Sequence, residues 1–227
     1  MSIPFHRRGV AVLAAAGVVF TVAILVRGPL VDVMTNPAGF AQAAFQQRTR
    51  LAWAGVLGGG VLEVLGLAAL YAAIARYHAG SRSARAGWAL STAGIALALT
   101  LFGFMAMAAP KVAGLYLQGD RRAMEVVVSF FTSRLSMAIL GAMTVAYVLG
   151  CLLTAIALWK HTPAPKWAAV AFVLHAPLIA LPVPFPLEIA GSVLLLAAAL
   201  GFLALDGPPP AASPARPVEE RVPAGVV

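Results

Sequence analysis

Two ionisable side chains, Glu63 and His175, lie deep inside long apolar stretches of the chain, where they could handle protons or a ligand. Glu63 is at the midpoint of residues 51–75, a stretch about long enough to cross the hydrocarbon core of a bilayer as one helix. A carboxylate at that depth is costly unless it is neutral, partnered or hydrated. A neutral acid hydrogen-bonded between helices and a role in proton, ion or ligand handling both fit this position.

His175 lies near the middle of residues 167–181, two positions before Pro177, which should bend that helix and free a backbone carbonyl. The other histidines lie at the ends of apolar stretches. If Glu63 and His175 meet at similar depth, a carboxylate and an imidazole could relay protons. Alternatively, each is satisfied separately within its own pair of helices.

A polar stripe is predicted on the helix over residues 134–159. Six side chains fall within roughly 80° of arc at helical spacing: Ser133, Ser136, Thr144, Tyr147, Cys151 and Thr154. Such residues hydrogen-bond across helices or line a cavity. Thr144, Tyr147 and Cys151 therefore join the two deep ionisable groups as candidates for ligand or proton handling.

Small residues predict where helices pack closely. Gly55 and Gly59 form a GxxxG pair, and helical spacing places Gly66 and Glu63 on the same face. Glu63 should therefore point toward other helices and away from lipid. Gly94 lies on a similar face of the next apolar stretch, with Gly87, Ser91 and Ala98.

Several chemistries are not indicated. Cys151 is the only cysteine, a b-type haem would need paired deep histidines, and zinc ligands do not cluster in the sequence. The chain has no HExxH, GxSxG or P-loop motif. We therefore expect no catalytic residue, no metal and no cofactor. The net charge of +8 does not indicate nucleic acid, because the basic residues flank the apolar stretches as membrane topology requires.

Composition predicts an all-α polytopic transmembrane bundle: 61% of residues are hydrophobic and 11% charged, far from soluble averages. Asn36-Pro37 predicts a helix start, followed by an amphipathic segment that runs into the Glu63 helix. The first stretch is expected to be an uncleaved span, because it is long for a signal peptide and lacks a small-x-small cleavage site. The six predicted spans, within a domain over residues 1–205, are 9–26, 51–75, 87–108, 134–159, 167–181 and 187–205.

Loop charges predict the orientation. The short connections 76–85 and 160–166 are basic, whereas the tight turn 182–186 carries no charge. This bias predicts that both termini are cytoplasmic in the bacterial inner membrane. The tail, residues 206–227, is rich in Pro and Ala and is predicted to be disordered.

An internal repeat is also predicted. A shift of 84 positions places Arg50-Leu51 on Arg134-Leu135 and Glu63 on Tyr147. Helices two and three would then recur as helices four and five, a parallel repeat of a kind found in transporters. Chance similarity between helices built of Ala, Leu, Val and Gly is the competing explanation.

The layout resembles that of an uncharacterised family of bacterial six-helix integral membrane proteins, a domain of unknown function, over about residues 9–205. The similarity lies in a first helix, the polar loop NPAGFAQAAFQQRTR, and a long second helix that ends in an Arg-bearing loop. It implies an inner-membrane bundle and no known active residues.

The leading functional expectation is non-enzymatic: a protein that binds a small or lipophilic ligand or lipid, or an accessory or regulatory subunit. The alternative is a proton-coupled small-molecule transporter that works through Glu63 and His175. A lipid-modifying membrane enzyme ranks third. The expected partners are the lipid bilayer and either a membrane partner protein or further copies of this chain.

Overall fold

In the computed structural model, residues 5–206 are described, and every regular element among them is helical. The predicted disordered tail, apart from Asp206, lies outside the described residues. The elements are α1 (Phe5–Arg27), α2 (Pro37–Phe45), α3 (Gln47–Tyr77), α4 (Arg82–Gly103), a π-helical turn (Phe104–Ala108), α5 (Ala109–Leu117), α6 (Ala123–Thr132), α7 (Arg134–His161), α8 (Lys166–Ala180), α9 (Phe185–Phe202) and a 3₁₀ turn (Leu203–Asp206).

The bundle contains five helical segments long and apolar enough to cross a membrane. They are Gly9–Arg27, Gln47–Tyr77, Arg82–Leu117, Arg134–His161 and Phe185–Phe202. The prediction of an all-helical bundle with several membrane-length helices is therefore confirmed. Helix α8 has 15 residues, which rise about 22 Å. This is less than a hydrocarbon core of about 30 Å, so the count of six spans stays a prediction.

Six helices form a closed ring in the order α1, α3, α4, α7, α8, α9 and back to α1, each packed against the two beside it. Helices α2, α5 and α6 pack in series outside this ring. Large apolar side chains cover its outer surface, including the exposed Val22, Leu51, Leu135 and Leu200. An apolar exterior of this extent suits contact with acyl chains and not with water.

Two helix boundaries differ from the predicted ones. Asn36 caps α2 by accepting a hydrogen bond from the backbone N–H of Gly39, as the predicted helix start requires. The chain then breaks at Gln46, whose backbone is extended, and does not run straight into α3.

The helix predicted to end before Pro110 continues to Leu117. Pro110 has no N–H to offer the carbonyl four residues earlier. The chain accommodates this with a π-helical turn in which the N–H of Ala109 donates to the carbonyl of Phe104.

Helix boundaries recur at the spacing of the predicted repeat. Helix α3 ends at Tyr77 and α4 begins at Arg82, whereas α7 ends at His161 and α8 begins at Lys166, in each case 84 positions later. The starts of α3 and α7 do not follow this spacing. Duplication of the two helix pairs stays a prediction.

Candidate functional site

Helix α3 meets α1 through its glycine face. A Cβ added at Gly66 would lie 2.7 Å from the Cβ of Leu13, and one added at Gly59 would lie 3.1 Å from the ring of Phe20. Gly55 lies against Ala23 in the same way. The absent side chains thus let the two backbones approach closely within one chain.

Glu63 is directed into the ring because α3 has neighbours on both sides of it. Gly60 faces Leu99 of α4, and the Gly55–Gly59–Gly66 face meets α1. Helical spacing places Glu63 between these two faces, roughly 60° from each. Its side chain is accordingly buried, with 2% of its surface exposed.

Tyr147 is held on α7 by close contact with α4. A Cβ at Gly94 would lie 2.7 Å from the backbone nitrogen of Tyr147. Further along the same interface, Gly150 lies against Ser91 and Gly87 against Thr154. Because backbone meets backbone here, the position of the Tyr147 side chain depends directly on the absence of side chains on α4.

His175 is oriented on α8 by its own helix. Its Nδ1 contacts the carbonyl oxygen of Phe172, and its ring packs against the Phe172 ring at a centroid distance of 4.9 Å. The Tyr147 ring meets it edge-on, at 5.8 Å and 87°. His175 is completely buried.

These three side chains converge in the interior of the ring. The hydroxyl oxygen of Tyr147 lies 2.5 Å from Oε1 of Glu63 and 2.8 Å from Nε2 of His175. The same carboxylate oxygen lies 3.5 Å from Nε2. The structure therefore brings Glu63 and His175 into contact, with Tyr147 bridging them, and we call this set the Glu63–Tyr147–His175 cluster.

The hydrogen bonds of the cluster limit where its protons can be. A carbonyl oxygen only accepts, so Nδ1 of His175 carries a hydrogen and donates to Phe172. The Tyr147 hydroxyl has one proton, yet it takes part in two hydrogen bonds. The second proton must therefore come from Glu63 or from Nε2 of His175.

Two arrangements satisfy this count. In one, a carboxylic acid donates to the Tyr147 oxygen and the hydroxyl donates to Nε2. In the other, Nε2–H of an imidazolium donates to the Tyr147 oxygen and the hydroxyl donates to a carboxylate. Both contain the same number of protons and have no net charge. They interconvert when two protons shift along the bridge, so the geometry permits proton transfer between Glu63 and His175.

The other candidates on the α7 stripe do not bond to the cluster. The Thr144 hydroxyl donates to the carbonyl of Ala180 at 3.3 Å, and the sulfur of Cys151 lies 3.8 Å from the hydroxyl of Ser91. These contacts join α7 to α8 and to α4. They correspond to the interhelical hydrogen bonding expected of such residues in a bundle.

Sequence reasoning missed the partly buried ion pair between Arg27 and Glu188. The guanidinium at the end of α1 pairs with the carboxylate in the first turn of α9, and it also lies 5.2 Å from the ring centroid of Trp53. The side chains are 7% and 12% exposed. The available signal was the opposite charge of two residues at span ends. Arg27 follows the first predicted span and Glu188 begins the sixth, and the predicted topology places both ends on the same side of the membrane.

No protein-family model, curated protein or solved structure matches this chain. Within the described residues, no group of three or more His, Cys, Asp or Glu side chains could hold a metal ion. The functional proposal therefore depends on the geometry and chemistry of the Glu63–Tyr147–His175 cluster.

Proposed function

We propose that this chain is a multi-pass protein of the bacterial inner membrane, with both termini cytoplasmic, that works as a proton-coupled transporter of small molecules. The observation that carries the proposal is the Tyr147 hydroxyl, which bridges Glu63 and His175 by hydrogen bonds of 2.5 and 2.8 Å. A carboxyl, a phenol and an imidazole in series are side chains that accept and pass on protons.

Energetics support a role beyond packing. Ionisable groups inside a membrane protein are costly, and well-packed apolar side chains of similar volume are often at least as stable. Here, both ionisable groups are covered by the bundle, at 2% and 0% exposure. Their presence at a site that apolar residues could fill is typical of groups that serve proton or ion movement.

The net charge of the cluster provides a means of coupling proton binding to the conformation of the bundle. Transfer within the cluster leaves it neutral, whereas gain or loss of one proton leaves a net charge in a medium of low dielectric constant. A bundle conformation that admits water or a charged solute would stabilise that charge. Proton binding would thereby shift the population of bundle conformations, as coupled transport requires.

The test uses the full chain in liposomes that contain a trapped pH-sensitive dye. A potassium diffusion potential drives protons inward while amino acids, sugars and quaternary ammonium ions are supplied in turn as probes. We expect at least one probe to accelerate acidification with the wild type and Glu63→Gln to abolish that acceleration. Ser192→Ala removes a buried hydroxyl on α9 that bonds to Thr21, away from the cluster, and should retain it. Equal flux in wild type and E63Q with every probe would contradict the proposal.

A second candidate function, the binding of a small or lipophilic ligand without transport, is favoured by a separate groove. This open groove, of about 660 Å³, lies beside α6 and the segment before α2. Apolar side chains line most of it, including Val33, Met34, Met124 and Val128, and Arg121 and Glu125 also border it. Binding of a dansyl-labelled phospholipid that Val128→Trp weakens, together with unaltered proton flux in E63Q, would favour this function.

A further inference from the structure

Three buried polar side-chain atoms in the described part of the chain have no hydrogen-bond partner within the protein. They are Nε1 of Trp88, Oγ1 of Thr92 and Oγ1 of Thr154. An unsatisfied buried polar group is destabilising, and native proteins contain few of them. Their location therefore indicates where internal water could supply the missing partners.

All three atoms lie in the same half of the bundle. Trp88 and Thr92 are one turn apart near the start of α4, and Thr154 lies against Gly87 near the end of α7. We call the end of the bundle that holds the connections 78–81 and 162–165 the paired-loop end. The stacked rings of His78 and His161, 4.2 Å apart, show that both connections lie at this end.

A polar column on α7 joins the cluster to the Thr154 hydroxyl. Tyr147, Cys151 and Thr154 follow one another along one face of α7, with exposures of 5%, 0% and 4%. The hydroxyl of Ser91 lies beside the sulfur of Cys151. The column therefore extends from the Tyr147 hydroxyl toward the paired-loop end, and the unpartnered Thr154 hydroxyl is its far member.

On the other side of the cluster, away from the paired-loop end, large apolar side chains fill much of the bundle interior. Phe20, Trp53, Val56 and Met143 are buried there, and the ring centroids of Trp53 and Phe102 are 6.0 Å apart. The nearby Thr144 hydroxyl already donates to a backbone carbonyl. The hydroxyls of Thr21 and Ser192 in this half are hydrogen-bonded to each other, so among the described residues this half offers no buried hydroxyl without a partner.

We infer that Thr154, together with Trp88 and Thr92, forms a hydrated path that connects the Glu63–Tyr147–His175 cluster to water at the paired-loop end only. Internal water needs two to four polar partners, and this part of the bundle holds three unsatisfied polar atoms and the polar Ser91–Cys151 contact. One proton from bulk water that reaches the cluster leaves both the carboxyl group and the imidazole protonated, with a net charge of +1. The proton-carrying role of this path rests on the proposed transport function, whereas its one-sided hydration does not.

The native Cys151 thiol, the one thiol in the chain, reports access to the column. Silver ion is added to one side of sealed vesicles, the reaction is quenched, and the remaining thiol is counted with a fluorescent maleimide after denaturation. A Gly80→Cys, Cys151→Ala double variant, treated with an impermeant sulfonate reagent, identifies which vesicles expose the paired-loop end. Cys151→Ala alone sets the background.

We expect silver ion to react at least about tenfold faster from the paired-loop end, a ratio that corresponds to about 1.4 kcal/mol. Thr154→Val keeps the volume but removes the hydroxyl and should abolish this advantage, whereas Thr154→Ser should retain it. Ser192→Ala is the matched control outside the column. Equal rates from both sides, or faster reaction from the other end, would overturn the inference.

The two proposals fail in different ways. One-sided silver access combined with proton flux equal to that of E63Q would overturn the transport function and leave the hydrated path standing. Probe-stimulated proton flux with two-sided or absent silver access would overturn the path and leave the transport function standing. Thermal unfolding in detergent verifies that T154V and T154S are folded, and T154S maintains the test if T154V is not.

Discussion

Glu63 and Tyr147, which are 84 positions apart in the chain, meet through a hydrogen bond of 2.5 Å in the interior of the helix ring. The bond joins α3 to α7 and accounts for the phenol proton or the carboxyl proton of the pair. His175 contacts the same Tyr147 oxygen, so this one hydroxyl is a hydrogen-bond partner of both ionisable groups.

Replacement of Tyr147 with Phe tests the role of this hydroxyl. Phe keeps the ring but removes the only group that bridges the carboxyl and the imidazole. We expect proton flux in liposomes to fall to the level of E63Q and the free energy of unfolding to drop by about 1–3 kcal/mol, because two buried polar groups lose a partner. Tyr116→Phe, on α5 outside the ring, is the control. Unchanged flux in Y147F would contradict the relay.

Two substitutions of Glu63 separate function from folding. In Glu63→Gln, the amide N–H can donate to the Tyr147 oxygen while the Tyr147 hydroxyl donates to Nε2 of His175, so thermal unfolding in detergent should change little. In Glu63→Ala, both neighbours lose the partner and a cavity remains, so we expect a loss of about 2–4 kcal/mol. If E63Q were as destabilised as E63A, the Gln side chain would not replace the carboxyl within the cluster.

Gly94 tests how Tyr147 is positioned. A methyl group there would lie 2.7 Å from the Tyr147 backbone nitrogen, so Gly94→Ala should push α7 away from α4. We expect a loss of about 1–3 kcal/mol in thermal unfolding, together with reduced proton flux. Gly141→Ala is the matched control on α7, because its Cβ would meet nothing within 4 Å. There, Ala should be neutral or stabilise the helix by up to about 1 kcal/mol.

The ion pair between Arg27 and Glu188 predicts a charge-reversal experiment. Removal of one partner leaves the other charge largely buried, so Arg27→Gln or Glu188→Gln should each cost about 3–5 kcal/mol. The exchange Arg27→Glu with Glu188→Arg should recover part of that loss in thermal unfolding. The exposed Glu125→Gln serves as the control and should have little effect. A double variant no more stable than the worse single variant would show that the pair contributes through packing instead.

Much of the cluster could be anticipated from helical periodicity. The depth of Glu63 and His175 follows from their places in apolar stretches, and the direction of Glu63 follows from the glycines that share its face. Tyr147 was identified as a polar side chain at the centre of its stretch. These inferences need only the spacing within single helices.

The bridge itself could not be predicted, because it depends on the order of helices around the ring. Periodicity places Tyr147 on a face of α7 but does not show that α4 and α8 flank that face. The ion pair of Arg27 and Glu188 was missed for the same reason, since it requires the first and last helices of the ring to be neighbours. The continuation past Pro110 was missed because a π-helical turn leaves no clear mark in the sequence.

The three helix pairs with the most extensive packing are α1 with α3, α4 with α7, and α8 with α9. Each pair contributes one member of the cluster: Glu63, Tyr147 and His175 respectively. If each pair moves as a rigid body, any displacement of one pair relative to the other two must break a hydrogen bond to the Tyr147 oxygen or stretch the distance between Glu63 and His175. The protonation state of three side chains would then determine whether the three helix pairs are held together by hydrogen bonds or are free to move relative to one another.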